Sequence, residues 1–148
     1  MGLEVQELGE HGDSSMIPWS LSSIDGMKFD DYCAHIDNLG DKDAIEQEVR
    51  AGGAEVIKCK GATYYAIALS VSQIPEAILR DTKMILTVST LQDGSRYGVK
   101  DVCLSLPCVV GANGIEREIT PPLLPEEEEA VRKSAAALRE VIDAMKAE

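Results

Sequence analysis

The chain has 148 residues, of which 45% are hydrophobic but only 4% aromatic, and its formal net charge at pH 7 is −12. This length predicts one domain, residues 1–148, with a core built mainly from Ala, Val, Ile and Leu. So acidic a surface repels phosphate backbones and anionic lipids, which argues against nucleic-acid binding and against membrane association. No apolar run reaches the roughly 18 residues of a membrane span, and no secretory signal is recognised at the start.

Four cysteines are spread along the chain: Cys33, Cys59, Cys103 and Cys108. None belongs to a Cys-x-x-Cys pair, and the two histidines are distant in sequence, so we expect no metal site. Buried or half-buried free thiols in a reducing cytoplasm are the expectation.

The N-terminal part predicts two strands around a loop. Leu3 to Leu8 alternates apolar and polar residues, as a half-buried strand does. Gly9 to Ser15 contains two glycines and predicts a turn or loop. Met16 to Ser23 is strand-like again.

Helical signals begin near Asp41. Asp43, with Glu46 three residues later, resembles a capping box with Asp43 as the cap. Gly52-Gly53 is expected to weaken or bend this helix. A further helical stretch is predicted over Ala54 to Lys60, ending near Gly61.

A second helix is predicted from Thr63 onward, because its apolar residues follow helical spacing. Pro75 lies inside that pattern, so we expect a kink or a helix restart there.

The next predicted elements are strands. They cover Lys83 to Leu91, Val102 to Val110 and Ile115 to Ile119. Gln92 to Ser95 supplies turn residues after the first strand, and Asn113-Gly114 predicts a tight hairpin between the second and third.

The last helix carries the strongest signals. Pro125 suits its first turn, and Glu126 to Glu129 lie where the positive end of the helix dipole favours acids. An apolar stripe at spacings of four and three follows: Val131, Ala135, Leu138, Ile142 and Met145.

These elements predict an α+β fold with mostly antiparallel strands, long helices and a C-terminal helix. Gly111 to Gly114 is rich in glycine but precedes a strand, which is the wrong context for a dinucleotide-binding loop. We therefore expect the bulk of any nucleotide to be bound outside this domain.

His11 is the most informative candidate for chemistry. It lies between two glycines in a polar loop after a strand, where a ligand can approach closely. An imidazole can take and give a proton near neutral pH. From the residues alone, an ordinary loop histidine and a catalytic one both remain open, and Asp13 is either its carboxylate partner or part of a local turn.

Several ordered motifs carry a family resemblance. The segment Gly9 to Ser15 followed by Pro18-Trp19-Ser20, the segment Lys60 to Ala68, the region Tyr97 to Pro107 and the hairpin Gly111 to Ile115 resemble the C-terminal part of the lactate/malate dehydrogenase family. Within this family of NAD-dependent L-2-hydroxyacid dehydrogenases, these motifs most resemble those of the L-lactate dehydrogenase members. The similarity runs from about Leu3 to Ile142.

The resemblance implies a role for three residues. His11 matches the histidine that protonates the 2-keto oxygen and, in reverse, accepts the hydroxyl proton. Thr63 matches a threonine beside the substrate, although a helix N-cap is its alternative. Ile67 matches an apolar residue against the nicotinamide of NAD, with plain core packing as its alternative.

The resemblance also implies what the domain works with. The family's histidine-orienting aspartate, its substrate-binding arginines and its N-terminal dinucleotide-binding domain fall outside this chain, so we expect the chain alone to be inactive. The implied substrates are pyruvate and lactate, with L-2-hydroxyisocaproate or malate dehydrogenase as the alternatives. The implied protein is a cytoplasmic homo-oligomer; a non-catalytic binding or assembly module is the alternative from another class.

Overall fold

The structure, a computed structural model, describes residues 3–4, 7–35 and 41–146, and the side chains among them from Glu7 onward. Its elements, in chain order, are β1 (Leu3–Glu4), β2 (Ser23–Ile24), β3 (Met27–Lys28), α1 (Phe29–Cys33), α2 (Lys42–Lys60), α3 (Tyr65–Leu79), β4 (Met84–Asp93), β5 (Lys100–Gly111), β6 (Gly114–Glu118) and α4 (Pro125–Lys146). They form two three-stranded sheets, ordered β1-β2-β3 and β4-β5-β6. The predicted α+β fold, with antiparallel strands, long helices and a C-terminal helix, is confirmed.

The chain divides into two compact units. The first unit comprises Met1–Leu39, Thr87–Leu106 and Thr120–Glu148. The second comprises Gly40–Leu86 and Pro107–Ile119.

The first unit has one continuous apolar core, and β5 and α4 contribute most of it. Val102, Leu104 and Leu106 are at most 2% exposed, because alternate residues of a strand point to the same face. Burying each leucine side chain contributes about 1.5–3 kcal/mol. The other buried members of the core are Leu8, Met16, Val99, Leu123, Val131 and Ala135.

The predicted apolar stripe of α4 is confirmed over most of its length. Val131 and Ala135 are buried, and Leu138 and Ile142 pack against the core. Met145, in contrast, is 73% exposed, so the packed face ends before the last turn. The helix begins at Pro125, as predicted from its terminal signals.

The strand predicted from Met16 to Ser23 is mostly wrong. Met16 forms an isolated bridge to Leu8, a 3-10 turn covers Trp19–Leu21, and the strand itself is only Ser23–Ile24. Pro18 explains the break, because proline lacks the N–H that a ladder needs, while its carbonyl accepts the turn bond from the Leu21 N–H at 3.0 Å. Of the strand predicted from Leu3 to Leu8, residues 5 and 6 lie outside the described residues.

In the second unit, α2 is one uninterrupted helix through Gly52 and Gly53, so the separate helical stretch expected after them is wrong. That the glycines weaken or bend the helix stays a prediction. Each glycine lowers helix stability by about 1 kcal/mol relative to alanine, and favourable capping at the two helix termini can offset this loss. Asp41, and not Asp43, is the N-cap, and its side chain accepts a hydrogen bond from the Asp43 N–H at 3.4 Å. Gly61 ends the helix in the left-handed conformation, with φ 81°.

Helix α3 continues through Pro75, so the predicted helix restart does not occur. A proline within a helix removes one backbone hydrogen bond, and the remaining turns hold the helix together here. Only Ala77 is buried in the whole helix.

The second unit also holds the β5–β6 hairpin. Gly111 pairs with Gly114, so the turn is Ala112-Asn113, one residue earlier than predicted. Lys83 lies between Asp81 and Glu116, with Nζ–O distances of 2.7 and 2.5 Å. Hydrogen bonding to Lys83 lowers the pKa of both carboxyl groups, and the Asp81 carboxylate also accepts the Ala112 N–H.

The cysteine prediction is right for two thiols and wrong for two. Cys108 is buried and Cys33 half-buried, whereas Cys59 and Cys103 are exposed, and all four are free. Cys103 is exposed because it alternates with the buried residues of β5. In the described part of the chain, no cluster of three metal-ligating residues occurs. None of the described helices has the length and apolar character to cross a membrane.

Candidate active site

His11 lies at the exposed tip of a loop whose base is closed by backbone hydrogen bonds. Leu8 and Met16 exchange two N–H···O bonds of 2.9 Å. Gly9 exchanges two more with Ser105 of β5, at 3.1 and 2.9 Å. The two ends of the loop are therefore fixed by the core strand and by each other, while the tip is open to solvent.

Gly9 is required at the start of this loop for two reasons. Its φ is +106°, which side chains other than glycine rarely adopt. A Cβ atom there would also lie 2.7 Å from the Ser134 Oγ of α4, closer than such atoms approach. The glycine thus lets the loop backbone lie directly against the C-terminal helix.

Glu10 and Ser134 connect the loop to α4. The Glu10 N–H donates to Ser134 Oγ at 2.8 Å, across 124 positions of sequence. The Glu10 carboxylate accepts from the Ser14 N–H at 3.1 Å and from the Ser14 hydroxyl at 2.5 Å. Neither residue was predicted to be functional from the sequence, because the only local signal is that Glu10 is the neighbour of His11.

Glu127 anchors the segment that follows the loop. This residue is 7% exposed, in the first turn of α4. Its carboxylate accepts from the Ser20 N–H at 2.9 Å, from the Ser20 hydroxyl at 2.5 Å and from the Leu124 N–H at 2.9 Å. The sequence indicated only that Glu127 belongs to an acidic run at the start of α4. Its side chain is buried there, and its carboxylate is bonded to Ser20 and Leu124.

The imidazole of His11 has no protein partner within the described part of the chain. Among residues 3–4, 7–35 and 41–146, none forms a hydrogen bond or ion pair with its ring. Asp13 is exposed on the same loop and makes no ion pair with His11 in that part of the chain, which leaves the local-turn interpretation of Asp13. Neither ring nitrogen is therefore occupied by any of the described residues.

Thr63 and Ile67 lie in the second unit, at the start of α3. The N-cap of α3 is Tyr64, without a side-chain cap bond, so the N-cap alternative for Thr63 is wrong and its side chain is exposed. Ile67, in the first turn, is 53% exposed, so plain core packing is wrong as well. His11 belongs to the first unit, and the roles that the resemblance implies for Thr63 and Ile67 stay predictions.

Apolar side chains are exposed along all of α3, and we refer to them as the α3 apolar surface. A monomeric protein rarely leaves such a cluster in water. Leu69 is 72% exposed and Leu79 84%. The other members of this surface are Tyr65, Ile67 and Val71.

Comparison with known proteins places these observations in a family. Residues 3–148 match the family model described as lactate/malate dehydrogenase, alpha/beta C-terminal domain. An L-lactate dehydrogenase of Thermoanaerobacterium saccharolyticum is 46% identical over 138 residues, covering 91% of this chain and 44% of that protein. An L-lactate dehydrogenase of Acetivibrio thermocellus is 45% identical over 138 residues, covering 91% and 43%.

The similar solved structures are also lactate dehydrogenases. A lactate dehydrogenase enzyme from a Medee basin deep-sea metagenome library superimposes with a TM-score of 0.89 at 31% identity, over 97% of this chain and 46% of that one. L-Lactate dehydrogenase from Clostridium thermocellum gives 0.83 at 39% identity, over 97% and 47%. The chain thus spans less than half the length of the relatives it matches. It belongs to the lactate/malate dehydrogenase family and corresponds to the alpha/beta C-terminal domain.

Proposed function

We propose that this chain is the substrate-binding and proton-donating half of an NAD-dependent L-lactate dehydrogenase, which interconverts (S)-lactate and pyruvate. The observation that carries the proposal is the His11 loop: its base and its contact with α4 are fixed, yet the imidazole itself is exposed and unengaged by the described residues. The relatives that match 91% of the chain are L-lactate dehydrogenases.

In this proposal His11 moves the proton. In pyruvate reduction the imidazolium N–H donates to the 2-keto oxygen, and the neutral imidazole takes the hydroxyl proton in lactate oxidation. A proton donor acts over direct hydrogen-bond distance, about 3 Å, so the substrate oxygen must reach the exposed tip of the loop. When bound, the cofactor would supply the redox chemistry: NADH would give a hydride to the 2-keto carbon of pyruvate, and NAD⁺ would accept it in lactate oxidation.

Thr63 and Ile67 complete the proposed contacts from the second unit. The exposed Thr63 hydroxyl would bind the substrate, and Ile67 offers an exposed apolar side chain that fits the flat nicotinamide ring. The remainder of the cofactor would be held by residues outside this chain.

The test uses a complete enzyme, made by joining this chain to the preceding part of the Thermoanaerobacterium saccharolyticum relative. His11→Asn keeps a planar polar side chain but removes the proton donor, so we expect kcat with pyruvate to fall by about 10²- to 10⁴-fold. His35→Asn is the matched control, because His35 is an exposed histidine bound through Nδ1 to the Asp31 carbonyl oxygen at 2.7 Å. Near-normal turnover of His11→Asn would contradict the proposed role.

The same enzyme distinguishes the substrate alternatives. We expect the highest kcat/KM with pyruvate. Preference for oxaloacetate would instead support malate dehydrogenase, and preference for 2-ketoisocaproate would support L-2-hydroxyisocaproate dehydrogenase. A folded protein that reduces none of the three would support a non-catalytic module.

A further inference from the structure

We propose that Ser134 and Glu10 are positioning residues, which together hold the backbone on both sides of His11 in the geometry for proton transfer. The proposal rests on the proposed function of His11. Neither side chain is assigned a contact with substrate; both act through the loop. All residues involved belong to the first unit.

Ser134 fixes the peptide that precedes His11. It is fully buried, and it shares one face of α4 with Glu127 and Val131, at spacings of three and seven residues. Its Oγ accepts the Glu10 N–H at 2.8 Å and lies directly beneath Gly9. Because the chain continues from Glu10 into His11, this bond sets the direction in which the histidine leaves the helix surface.

Glu10 links the two sides of the loop that carries His11. Its Oε1 accepts both the N–H and the hydroxyl of Ser14, so residues 10 and 14 are joined over the exposed tip. The hydroxyl of Ser14 also lies 3.2 Å from that of Ser134. The two serine hydroxyls are therefore within hydrogen-bond distance of each other. The three side chains form one network.

Packing alone does not explain a serine at position 134. The neighbouring core residues Val131 and Ala135 are apolar, and an alanine at position 134 would occupy almost the same volume. The base of the loop is already closed by the Leu8–Met16 and Gly9–Ser105 bonds. Within the described residues, both hydrogen bonds of the Ser134 hydroxyl go to the loop above that base, so its polar group holds the part of the loop that carries His11.

The first experiment measures the network without catalysis. Amide hydrogen exchange of the 148-residue chain is followed by NMR at Glu10, His11 and Ser14. Ser134→Ala removes the acceptor of the Glu10 N–H, and we expect that amide to exchange about tenfold faster. Val131→Ala is the control: it destabilises the same buried face of α4 but removes no loop hydrogen bond.

From the loop side, Glu10→Ala is expected to speed exchange of the Ser14 N–H, whereas Glu10→Gln keeps an amide oxygen as acceptor and retains most of the protection. Equal exchange rates in the wild type and in Ser134→Ala and Glu10→Ala would overturn the network.

The second experiment measures positioning in the joined enzyme described above. Ser134→Ala is expected to lower kcat by about tenfold with little change in KM for pyruvate, since the proton donor moves while other substrate contacts stay. In the double variant Ser134→Ala/Glu10→Ala, the losses should be less than additive, because both variants loosen one network. Val131→Ala should leave kcat near its normal value at a temperature where it is folded.

The two experiments separate the two proposals. Faster Glu10 exchange together with normal kcat in Ser134→Ala overturns the positioning role. A normal kcat in His11→Asn overturns the proposed function instead, whatever the exchange rates are. Faster exchange with a selective loss of kcat supports both.

Discussion

Glu127 accepts hydrogen bonds from both the backbone N–H and the hydroxyl of Ser20, a residue 107 positions earlier in the chain. The same carboxylate accepts the Leu124 N–H, which precedes the first residue of α4. It therefore does for α4 what the glutamate of a capping box does, and adds a tertiary contact. The segment after the His11 loop is tied to the helix by the group that caps the helix.

Glu127→Gln should destabilise the chain markedly, although the two side chains have nearly the same size and shape. The two carboxylate oxygens of Glu127 now accept three hydrogen bonds, two from Ser20 and one from Leu124. Glutamine has only one side-chain oxygen, and its NH₂ group would lie against at least one of these N–H or O–H donors. Hydrogen bonds to charged groups contribute about 1.5–3 kcal/mol, and a lost helix cap costs about 0.5–2 kcal/mol. We expect the free energy of unfolding in urea to fall by about 2–3 kcal/mol.

Glu126→Gln is the matched control for this variant. It removes the same charge from the same helical turn, but Glu126 is exposed, so the expected change is within about 0.5 kcal/mol. Equal effects of the two substitutions would show that net charge, and not the Ser20 and Leu124 bonds, determines the result.

The 148-residue chain alone should not oxidise NADH in the presence of pyruvate. It spans 44% of the Thermoanaerobacterium saccharolyticum relative, and the family resemblance assigns the substrate-binding arginine and the dinucleotide-binding domain to other residues. The measurement is NADH absorbance with the purified chain, checked for folding by NMR. Steady-state turnover above a His11→Asn control would contradict the prediction.

The isolated chain should self-associate through the α3 apolar surface. Burial of exposed apolar surface against another copy of the chain favours association by about 25 cal/mol per Å². Light scattering over a wide concentration range should show species larger than a monomer. Leu69→Lys, at a residue that is 72% exposed on α3, should shift the equilibrium towards monomer.

Val141→Lys is the control for that variant. Val141 is similarly apolar and is 58% exposed, but it lies on α4. A strict monomer at all concentrations, or an equal effect of the two substitutions, would rule out the α3 surface as the association site.

Tyr97 should reduce the stability of the fold at high pH. Burial of the phenol, reinforced by the charge of Glu128, raises the pKa of Tyr97 from 10.0 to about 12, and its hydroxyl donates to the Pro121 carbonyl oxygen at 2.6 Å. Between these two values the folded chain keeps a proton that the unfolded chain loses. The stabilisation is therefore complete below pH 10 and is lost as pH rises towards 12.

The measurement is the free energy of unfolding as a function of pH, for the wild type and for Tyr97→Phe. The wild type should lose more stability than the variant across this window, and the NMR signal of Tyr97 should titrate with a midpoint near pH 12. Parallel stability curves for the two proteins would mean that the phenol ionises alike in the folded and unfolded states.

Elements with strong local signals were predicted from the sequence. Pro125 and the acids after it identify the start of α4, because fixed φ and the helix dipole act within a single turn. The β5–β6 hairpin was predicted to within one residue from its glycine-containing turn. The family resemblance likewise depended on contiguous motifs such as the one around His11.

Elements that depend on weaker local preferences were mispredicted. The β2–β3 hairpin and α1 were not foreseen, since strands of two residues and a helix of five have no measurable periodicity. Gly52 and Gly53 lower helix propensity without breaking α2, because the capped helix around them contributes more than they cost.

The amino-acid sequence by itself therefore determined the fold class, the family and the identity of His11 as the candidate proton donor. Only the tertiary structure showed that Ser134 and Glu127 hold the segment around it. These partners are 124 and 107 positions away from the residues they bind, and both face one side of α4. No local period links such distant residues; the packing of α4 against the core brings them together.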